Sequence, residues 1–313
     1  MKLINVVLLG GARRVTLAEQ IRSIVRSADA DVHFFSVERN VEFYPIADIA
    51  KVISGPRFAS DEFLPFLQEM LEGLELPLPI ACMDGALPIL SGLREKRIGG
   101  AQIVAPTELG ARVAFNKTLT AEFCTAQGIL QPKCFKVMEE VDRKVIAKPV
   151  EGFGGKGIHI IDRFSSEHSV LFNTHVVQEF ISGRETTHDL YIGRDASFAM
   201  MSRDRLAVID GEVDHCIVRP PRPDEVALCK KIADSGLFWG PVTVQTIAND
   251  EATFLIEINA RLGGGVTASI AAGFGIIEQY LLDSVGLRAP LRVVHSLEMK
   301  RARRDFYRVL DQT

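Results

Sequence analysis

At 313 residues the chain is long enough for a large buried core and for two or three subdomains. Hydrophobic residues make up 47% and charged residues 24%, as in an ordinary soluble globular protein. A formal net charge of −4 excludes a global basic field for nucleic acid or an anionic membrane, and no apolar run reaches transmembrane length.

The first third alternates strand and helix. "INVVLLG" is a strand; glycines and arginines follow it where a signal cleavage site would stand, so the N-terminus reads as a first strand and not as a signal peptide. "RVTLAEQIRSIVRSA" places Leu17, Ile21, Ile24 and Val25 at helical spacing. "DVHFFSVE" is the next strand, ending at Glu38. "FASDEFLPFLQEMLEGL" is predicted as an amphipathic helix with Ser60 as N-cap and Phe63, Leu64 and Leu67 facing inward. "LPIACM" is a third buried strand, closing on Asp84; "ALPILSGLREKRI" is another helix and "QIVAP" a short strand. This alternation implies a parallel sheet with right-handed crossovers, in a domain over residues 1–110.

A second segment, 111–182, opens with a helix that Asn116 can cap and Gly128 can end. "CFKVM", "RKVIAKPV" and "IHII" read as strands, in an antiparallel pattern and not a βαβ unit. The third segment, 183–313, is richer in strands: "HDLYIG", "SFAMMSRDRLAVIDGEV", "PVTVQTIA" and "ATFLIEINA". Helices are predicted over Asp224 to Ser235 and over Ala268 to Val285, the latter interrupted by Gly273 and Gly275. The stretch from Arg288 onward is strongly basic and reads first as a solvated strand or helix face; the other reading is that an arginine near Arg301 reaches a carboxylate substrate.

The informative stretch is "VIAKPVEGFGGKGIHII". A P-loop needs Gly-Lys followed by Ser or Thr and a helix; here Lys156 is followed by Gly157 and a β-like run. A dinucleotide fingerprint also needs a helix after its glycines. A plain hairpin turn needs one or two glycines, whereas Gly152, Gly154, Gly155 and Gly157 make four. A mobile flap over phosphates explains all four, since glycine lets backbone N–H groups approach oxygens without interference from Cβ. Lys156 adds charge from the flap and Lys148 from the strand beneath. Alone in an apolar strand, Lys148 would read as a snorkelling edge residue; beside four glycines it reads as a phosphate contact.

Two more stretches fit that reading. "VVQEFISGRE" runs a strand into a glycine turn ending at Glu185, which suits an adenine edge followed by ribose hydroxyls. In "FLIEINARLGGG", Glu257 and Asn259 sit two apart on a strand and share a face, as hard oxygen ligands for Mg²⁺ would. Gln245 on the preceding strand can sit beside them, and Arg261 can fork onto a transferring phosphoryl group. Polar residues on the solvent face of a half-buried strand are the plainer account of Glu257, Asn259, Gln178 and Glu179.

With these stretches quoted, the sequence resembles the ATP-grasp enzymes, most closely the carbamoyl-phosphate-synthase-like branch of carboxylate–amine ligases. "NKT", "IAKPVEGFGGKGI", "QEFISGRE", "GPVTVQ" and "IEINARLGGG" occur in family order over nearly the whole chain. The resemblance implies an α/β and α+β protein with the ATP-grasp fold. Its parts would be a Rossmann-like parallel-sheet domain, a small lid domain carrying the glycine loop, and a larger antiparallel-sheet domain. It implies that Lys117 and Lys148 contact ATP phosphates under a loop of Gly154, Gly155 and Lys156. It also implies that Gln178, Glu179, Phe180 and Ile181 line the adenine pocket and that Glu185 holds the ribose. Glu257 and Asn259 would bind Mg²⁺ (or Mn²⁺) with Gln245, where many branches place an acid, and Arg261 would steady the phosphoryl group. Asn116 stands where Asp-Lys is commoner. The partners implied are small-molecule carboxylate and amine substrates, with no nucleic acid or membrane, in a homodimer.

The five cysteines, Cys82, Cys124, Cys134, Cys216 and Cys229, form no C-x-x-C and read as thiols in a reducing cytoplasm. The histidines have no metal spacing, and Cys216 beside His215 is no evidence of a nucleophile. The Gly10–Arg14 turn, with Glu38 and Asp84 ending the next strands, is either a ligand crevice at strand carboxyl ends or a tight turn with no ligand. Three functions are therefore in view: an ATP-dependent ligase, a nucleotide-sensing module without turnover, and a dinucleotide-dependent oxidoreductase. The last lacks G-x-G-x-x-G, since "LGGARRVT" supplies only two adjacent glycines.

Overall fold

The structure is a computed structural model that describes residues 1–152, 157–209 and 211–308. Strand β1 (Lys2–Leu9) is apolar toward both faces, as a central strand covered by helices on both sides must be. Helix α1 (Val15–Ser27) packs Leu17, Ile21, Ile24 and Val25 onto one face. Strands β2 (Ala30–Glu38) and β3 (Lys51–Ser54) continue the sheet on one side of β1. After helix α2 (Phe63–Glu72), β4 (Pro77–Ala81) joins on the other side, in the all-parallel order β3-β2-β1-β4. The order thus reverses at β1, and the carboxyl ends of β1 and β4 flank a topological switch point.

Helix α2 starts later than its amphipathic pattern implies. Pro65 is tolerated only in a first turn, so the helix begins at Phe63, and Ser60 instead accepts from the Glu62 N–H at 3.3 Å. Phe63, Leu67 and Leu71 form the buried stripe, while Leu64 turns outward and is 37% exposed. Helix α3 (Leu87–Gly92) is likewise short, and the expected "QIVAP" strand contracts to a small hairpin of β5 (Arg97–Ile98) with β6 (Ala101–Gln102).

Helices α4 (Glu108–Phe115) and α5 (Lys117–Gln127) lead into the second segment. Asn116 Oδ1 accepts from the N–H groups of Thr118 and Leu119, and Gly128 closes α5 at φ 59°. A four-stranded sheet follows, built from β7 (Cys134–Phe135), β8 (Val145–Pro149), β9 (His159–Ile161) and β10 (His175–Glu179) in the order β7-β10-β8-β9. β8 and β9 pair antiparallel, so the glycine stretch bridges a hairpin. The core of this sheet comprises five buried residues: Phe135, Val145, Ala147, Ile161 and Val177.

The third segment forms a six-stranded antiparallel sheet from β11 (Arg184–Ile192), β12 (Phe198–Ile209), β13 (Glu212–Arg219), β14 (Gly240–Ala248), β15 (Thr253–Asn259) and β16 (Leu297–Lys300). Its order is β15-β14-β11-β12-β13-β16. The run "SFAMMSRDRLAVIDGEV" folds back on itself as β12 and β13, with Gly211 (φ 78°) at the turn. Helix α6 (Pro223–Asp234) covers one face; α7 (Val266–Ala271) and α8 (Ile276–Val285) are separate helices that join the sheet to the N-terminal core. The strand pleat puts Glu185, Asp189, Arg205, Gln245 and Glu257 on one face, and His188, Ser202 and Thr246 on the face toward α6. No helix among the described residues is long and apolar enough to cross a membrane.

Candidate active site

A cleft of about 490 Å³, open to solvent, runs between α5, the small sheet and the end of β15, lined by Asp84, Lys117, Gly152, Gln178, Glu257 and Asn259 among others. Lys148 projects from β8 and is 7% exposed. Burial pushes its ammonium below the ordinary lysine range, against the pull of the Glu257 carboxylate; Lys117 pushes it further down and Glu185 pulls it back. Lys148, Lys117, Glu185 and Glu257 therefore converge within electrostatic reach of one another. Lys117 opens α5, and its ammonium meets the Gly152 carbonyl at 3.3 Å. Its own N–H donates to the Val150 carbonyl at 2.9 Å, and Asn116 reaches the Glu151 carboxylate at 3.3 Å, so the start of α5 clasps one root of the glycine stretch. At the other root, His175 meets the Gly157 carbonyl at 3.1 Å. Gly154, Gly155 and Lys156 lie outside the described residues.

Strand β10 borders the same cleft. Gln178 is buried there, against the Cys134 sulfur at 3.4 Å. Glu179 turns to Arg143 at 2.7 Å, and Phe180 carries the Lys144 ammonium 4.7 Å from its ring centroid. The N–H groups of Glu179 and Phe180 are taken by the carbonyls of Lys133 and Lys144. Ile181 is half-buried at the exit of the strand. Glu185, exposed at the start of β11, pairs with Arg205 at 3.1 Å.

On the other wall, Gln245 and Glu257 are direct cross-strand partners, and Asn259 follows on the same face. The Gln245 amide oxygen accepts from Arg205 at 3.1 Å, which leaves Glu257 and Asn259 as the oxygen donors turned to the cleft. Among the described residues no cluster of three or more His, Cys, Asp or Glu side chains forms a metal cage. One carboxylate and one amide oxygen instead suit Mg²⁺, which keeps waters and shares ligands with phosphates. Arg261 does not project freely. Its guanidinium grips Asp84 through two bonds of 2.7 Å and reaches the Asn259 oxygen at 3.4 Å. Burial would push that guanidinium down, and Asp84 holds it above the ordinary arginine value. Asp84, at the end of a strand in the parallel sheet, had no visible partner in the sequence, because Arg261 lies 177 positions away.

Polar residues elsewhere are closed on themselves. Arg219 forks onto both Asp204 and Glu225, and Ser202 links Glu225 to His188, which bonds Thr246 at 2.9 Å. On the cleft face, buried Arg203 pairs with Asp189, which also accepts from Ser269 at 2.6 Å. Arg301 is bound to Glu212 and donates to the Gly264 carbonyl at 2.9 Å. The five cysteines are free; burial pushes Cys82 up to about 11, so it is a neutral thiol. Glu38 accepts from the Ser36 hydroxyl at 2.6 Å, and burial raises its carboxyl above the ordinary value despite that bond.

The fold is the ATP-grasp fold. Over most of its length the chain superposes on N5-carboxyaminoimidazole synthetase from Staphylococcus aureus complexed with ADP: TM-score 0.70, 16% identity, 94% of this chain and 80% of that one. L-amino acid ligase from Bacillus licheniformis gives a TM-score of 0.67 at 16% identity, over 95% of this chain and 79% of the other. The biotin carboxylase–βγ-ATP complex from Campylobacter jejuni gives 0.68 at 14%, over 91% and 72%. No curated protein matches the sequence. Residues 114–265 match the family model of the ATP-grasp domain.

Proposed function

We propose that this protein is an ATP- and Mg²⁺-dependent, ADP-forming ligase of the carbamoyl-phosphate-synthase-like branch. It would join a small-molecule carboxylate to an amine or other nucleophile. The carrying observation is Lys148: a buried ammonium on β8, within electrostatic reach of the cleft residues Lys117 and Glu257, on the strand that leads into the glycine stretch. In this reading a carboxylate oxygen of the substrate attacks the γ-phosphorus of ATP, the bond to the β-phosphate oxygen breaks, and ADP leaves. The amine nitrogen then attacks the acyl carbon, phosphate departs with the C–O bond electrons, and the ammonium proton is lost.

Lys117 and Lys148 hold the phosphates, and Arg261, locked by Asp84, faces the transferring group. Glu257 and Asn259 would hold the metal ion, which neutralises phosphate charge when bound. Gln178 to Ile181 would border the adenine and Glu185 the ribose. Segments 1–110, 111–182 and 183–313 serve as substrate domain, lid and metal domain, in a cytoplasmic homodimer. ADP release with pooled carboxylic acids and amines tests the chemistry, calorimetry with Mg–ATP the binding, and light scattering the dimer. Absence of ATP binding in the presence of Mg²⁺ ends the reading; binding without turnover across a broad panel favours a nucleotide sensor instead.

A further inference from the structure

Strand β16 is the last strand of the six-stranded sheet, and its outer edge has no neighbouring strand among the described residues. The opposite end of the sheet is covered, since β15 gives its Leu255 N–H to the Leu130 carbonyl at 2.8 Å. The ladder fixes which groups of β16 are free. Leu297, Glu298, Met299 and Lys300 stand opposite Val218, Ile217, Cys216 and His215, and the Arg301 N–H donates to the Asp214 carbonyl at 2.8 Å. Backbone groups alternate in direction along an antiparallel pair, so Leu297 and Met299 share the inward direction of Arg301. Glu298 and Lys300 aim N–H and C=O outward, where no group among the described residues meets them. The side chains alternate as well. Leu297 and Met299 pack on the core, while Glu298 and Lys300 are exposed on the other face. The Glu298 carboxylate touches the His215 ring at 2.6 Å and is still 61% exposed. A lysine on an open edge ordinarily repels a second strand, but here an acid two residues away offsets it. Apolar side chains flank the strand: Leu291 and Val293 before it are 86% and 84% exposed, and Tyr307 after it is 83% exposed.

We infer that the outer edge of β16 is the contact surface of a homodimer, in which two copies pair antiparallel about a two-fold axis at Met299. The inference rests on the dimer of the proposed function and not on the ligase chemistry. A two-fold axis brings the same patch of both copies together. Outward backbone groups must then meet outward ones and like faces must align, which places the axis on a residue and not between two. An axis on Glu298 sets carboxylate against carboxylate, and one on Lys300 sets ammonium against ammonium; both are repulsive. An axis on Met299 sets Glu298 opposite Lys300 of the partner subunit, twice over. It also lays the stretch before β16 of one copy beside the stretch after β16 of the other, so that Leu291 and Val293 approach the partner subunit's Tyr307. That flank matters, because four paired residues fall well short of the about 800 Å² per partner that a standard interface buries. An unrelated extended peptide needs only the open edge; an acid and a base that complement their own reverse suit a second copy.

Sedimentation equilibrium of the full chain is the test, with circular dichroism reading the fold of each variant. The wild type is expected to be a dimer. Glu298→Lys and Lys300→Glu should each weaken it about tenfold or more, and the two changes together should return it to within about threefold of the wild type. Lys300→Pro removes an outward N–H but no bond to β13, and should leave a monomer where the wild type is a dimer. Should that variant fail to fold, the charge series still decides. Leu291→Ser with Val293→Ser should weaken the dimer about tenfold. A wild type that is monomeric at every concentration overturns the inference and the dimer with it. A dimer that survives Lys300→Pro, or a double reversal as weak as the single changes, overturns this surface and leaves the dimer standing. ATP binding and ADP release on the same samples judge the ligase reading separately.

Discussion

The two faces of the six-stranded sheet handle buried charge in opposite ways. Toward α6, Arg219 is matched by two carboxylates, and the chain of contacts runs through Ser202 and His188 to Thr246. Across the cleft from its other face, the ammonium of Lys148 on β8 of the small sheet has neither a hydrogen bond nor an ion pair among the described residues, although it is as buried as Asp84. The cleft face changes character along its own strands: Arg203, beneath the N-terminal core, is matched by Asp189, whereas Glu257 and Asn259 near its edge turn oxygens to open space. A buried charge with a full set of partners holds the architecture together. One with fewer partners than it can engage is poised for something from outside.

The largest expected effect falls on the cleft side. Glu257→Gln removes one charge from the oxygen pair and should lower kcat/KM by about a thousandfold or more, roughly 4 kcal/mol. The thermal midpoint should stay as in the wild type; near-normal turnover would remove Glu257 from the site. On the other face, Arg219→Ala strands Asp204 and Glu225 and should destabilise the fold by about 3–5 kcal/mol, read by urea unfolding. Activity per folded molecule should persist, and its loss at a temperature where the variant is folded would erase the contrast between the faces.

Acid sharpens the same contrast. Burial drives His188 down to about 4 from the ordinary 6.5, so the unfolded chain takes up a proton that the folded one refuses. Stability should be full above pH 6.5 and fall as the pH drops to 4. Burial would raise Glu225, but Arg219 and the Arg222 N–H outweigh it and hold the carboxyl at about 2, against the usual 4.5. That extends the loss from pH 4.5 down to 2, and Glu225→Gln should remove this lower limb. A urea midpoint that is flat between pH 6.5 and 4 would contradict the assignment to His188.

The smallest expected difference lies within the cleft. Lys148 is fixed by a buried strand, whereas Lys156 stands among glycines in the sequence, a backbone that loses more entropy on fixing. Lys148→Ala should cost about tenfold more in kcat/KM than Lys156→Ala, or about 1.4 kcal/mol. Lys148→Arg should not rescue, because a forked cation replaces a point charge in a tight place. Equal losses would mean that the flap, and not the floor, carries the main phosphate contact.

What could be read in the sequence was what is local. The stripe of Leu17, Ile21, Ile24 and Val25, the cap at Asn116 and the stop at Gly128 each lie within a few residues and fold as their spacing implies. The same holds for Glu257 and Asn259, which one strand brings to one face. Where a short-range rule competed with another, the reading slipped: Pro65 shifted the start of α2 and rotated Leu64 to the surface. The long-range pairings carried no signal at all. His188 and Glu225 are 37 positions apart in number but meet through Ser202, and Arg219 looks no different from the basic residues of the C-terminal stretch. Arg261 was legible as a forked cation, yet nothing near it in the chain announced that Asp84 would hold it.

That grip has a consequence for the safety of the molecule. The two cleft lysines belong to the middle of the chain, while the orientation of Arg261 depends on a residue of the first sheet. Should the first lobe loosen, a nucleotide could still be gripped by its phosphates, but the guanidinium beside them would wander. Asp84→Ala imitates that state and should retain ATP affinity while losing both ligation and the slow hydrolysis of ATP by water, measured as ADP formed without acceptor. On the ligase reading the contact would act as an interlock: ATP would be split only while the first lobe is seated, and a half-assembled molecule would hold its fuel without burning it.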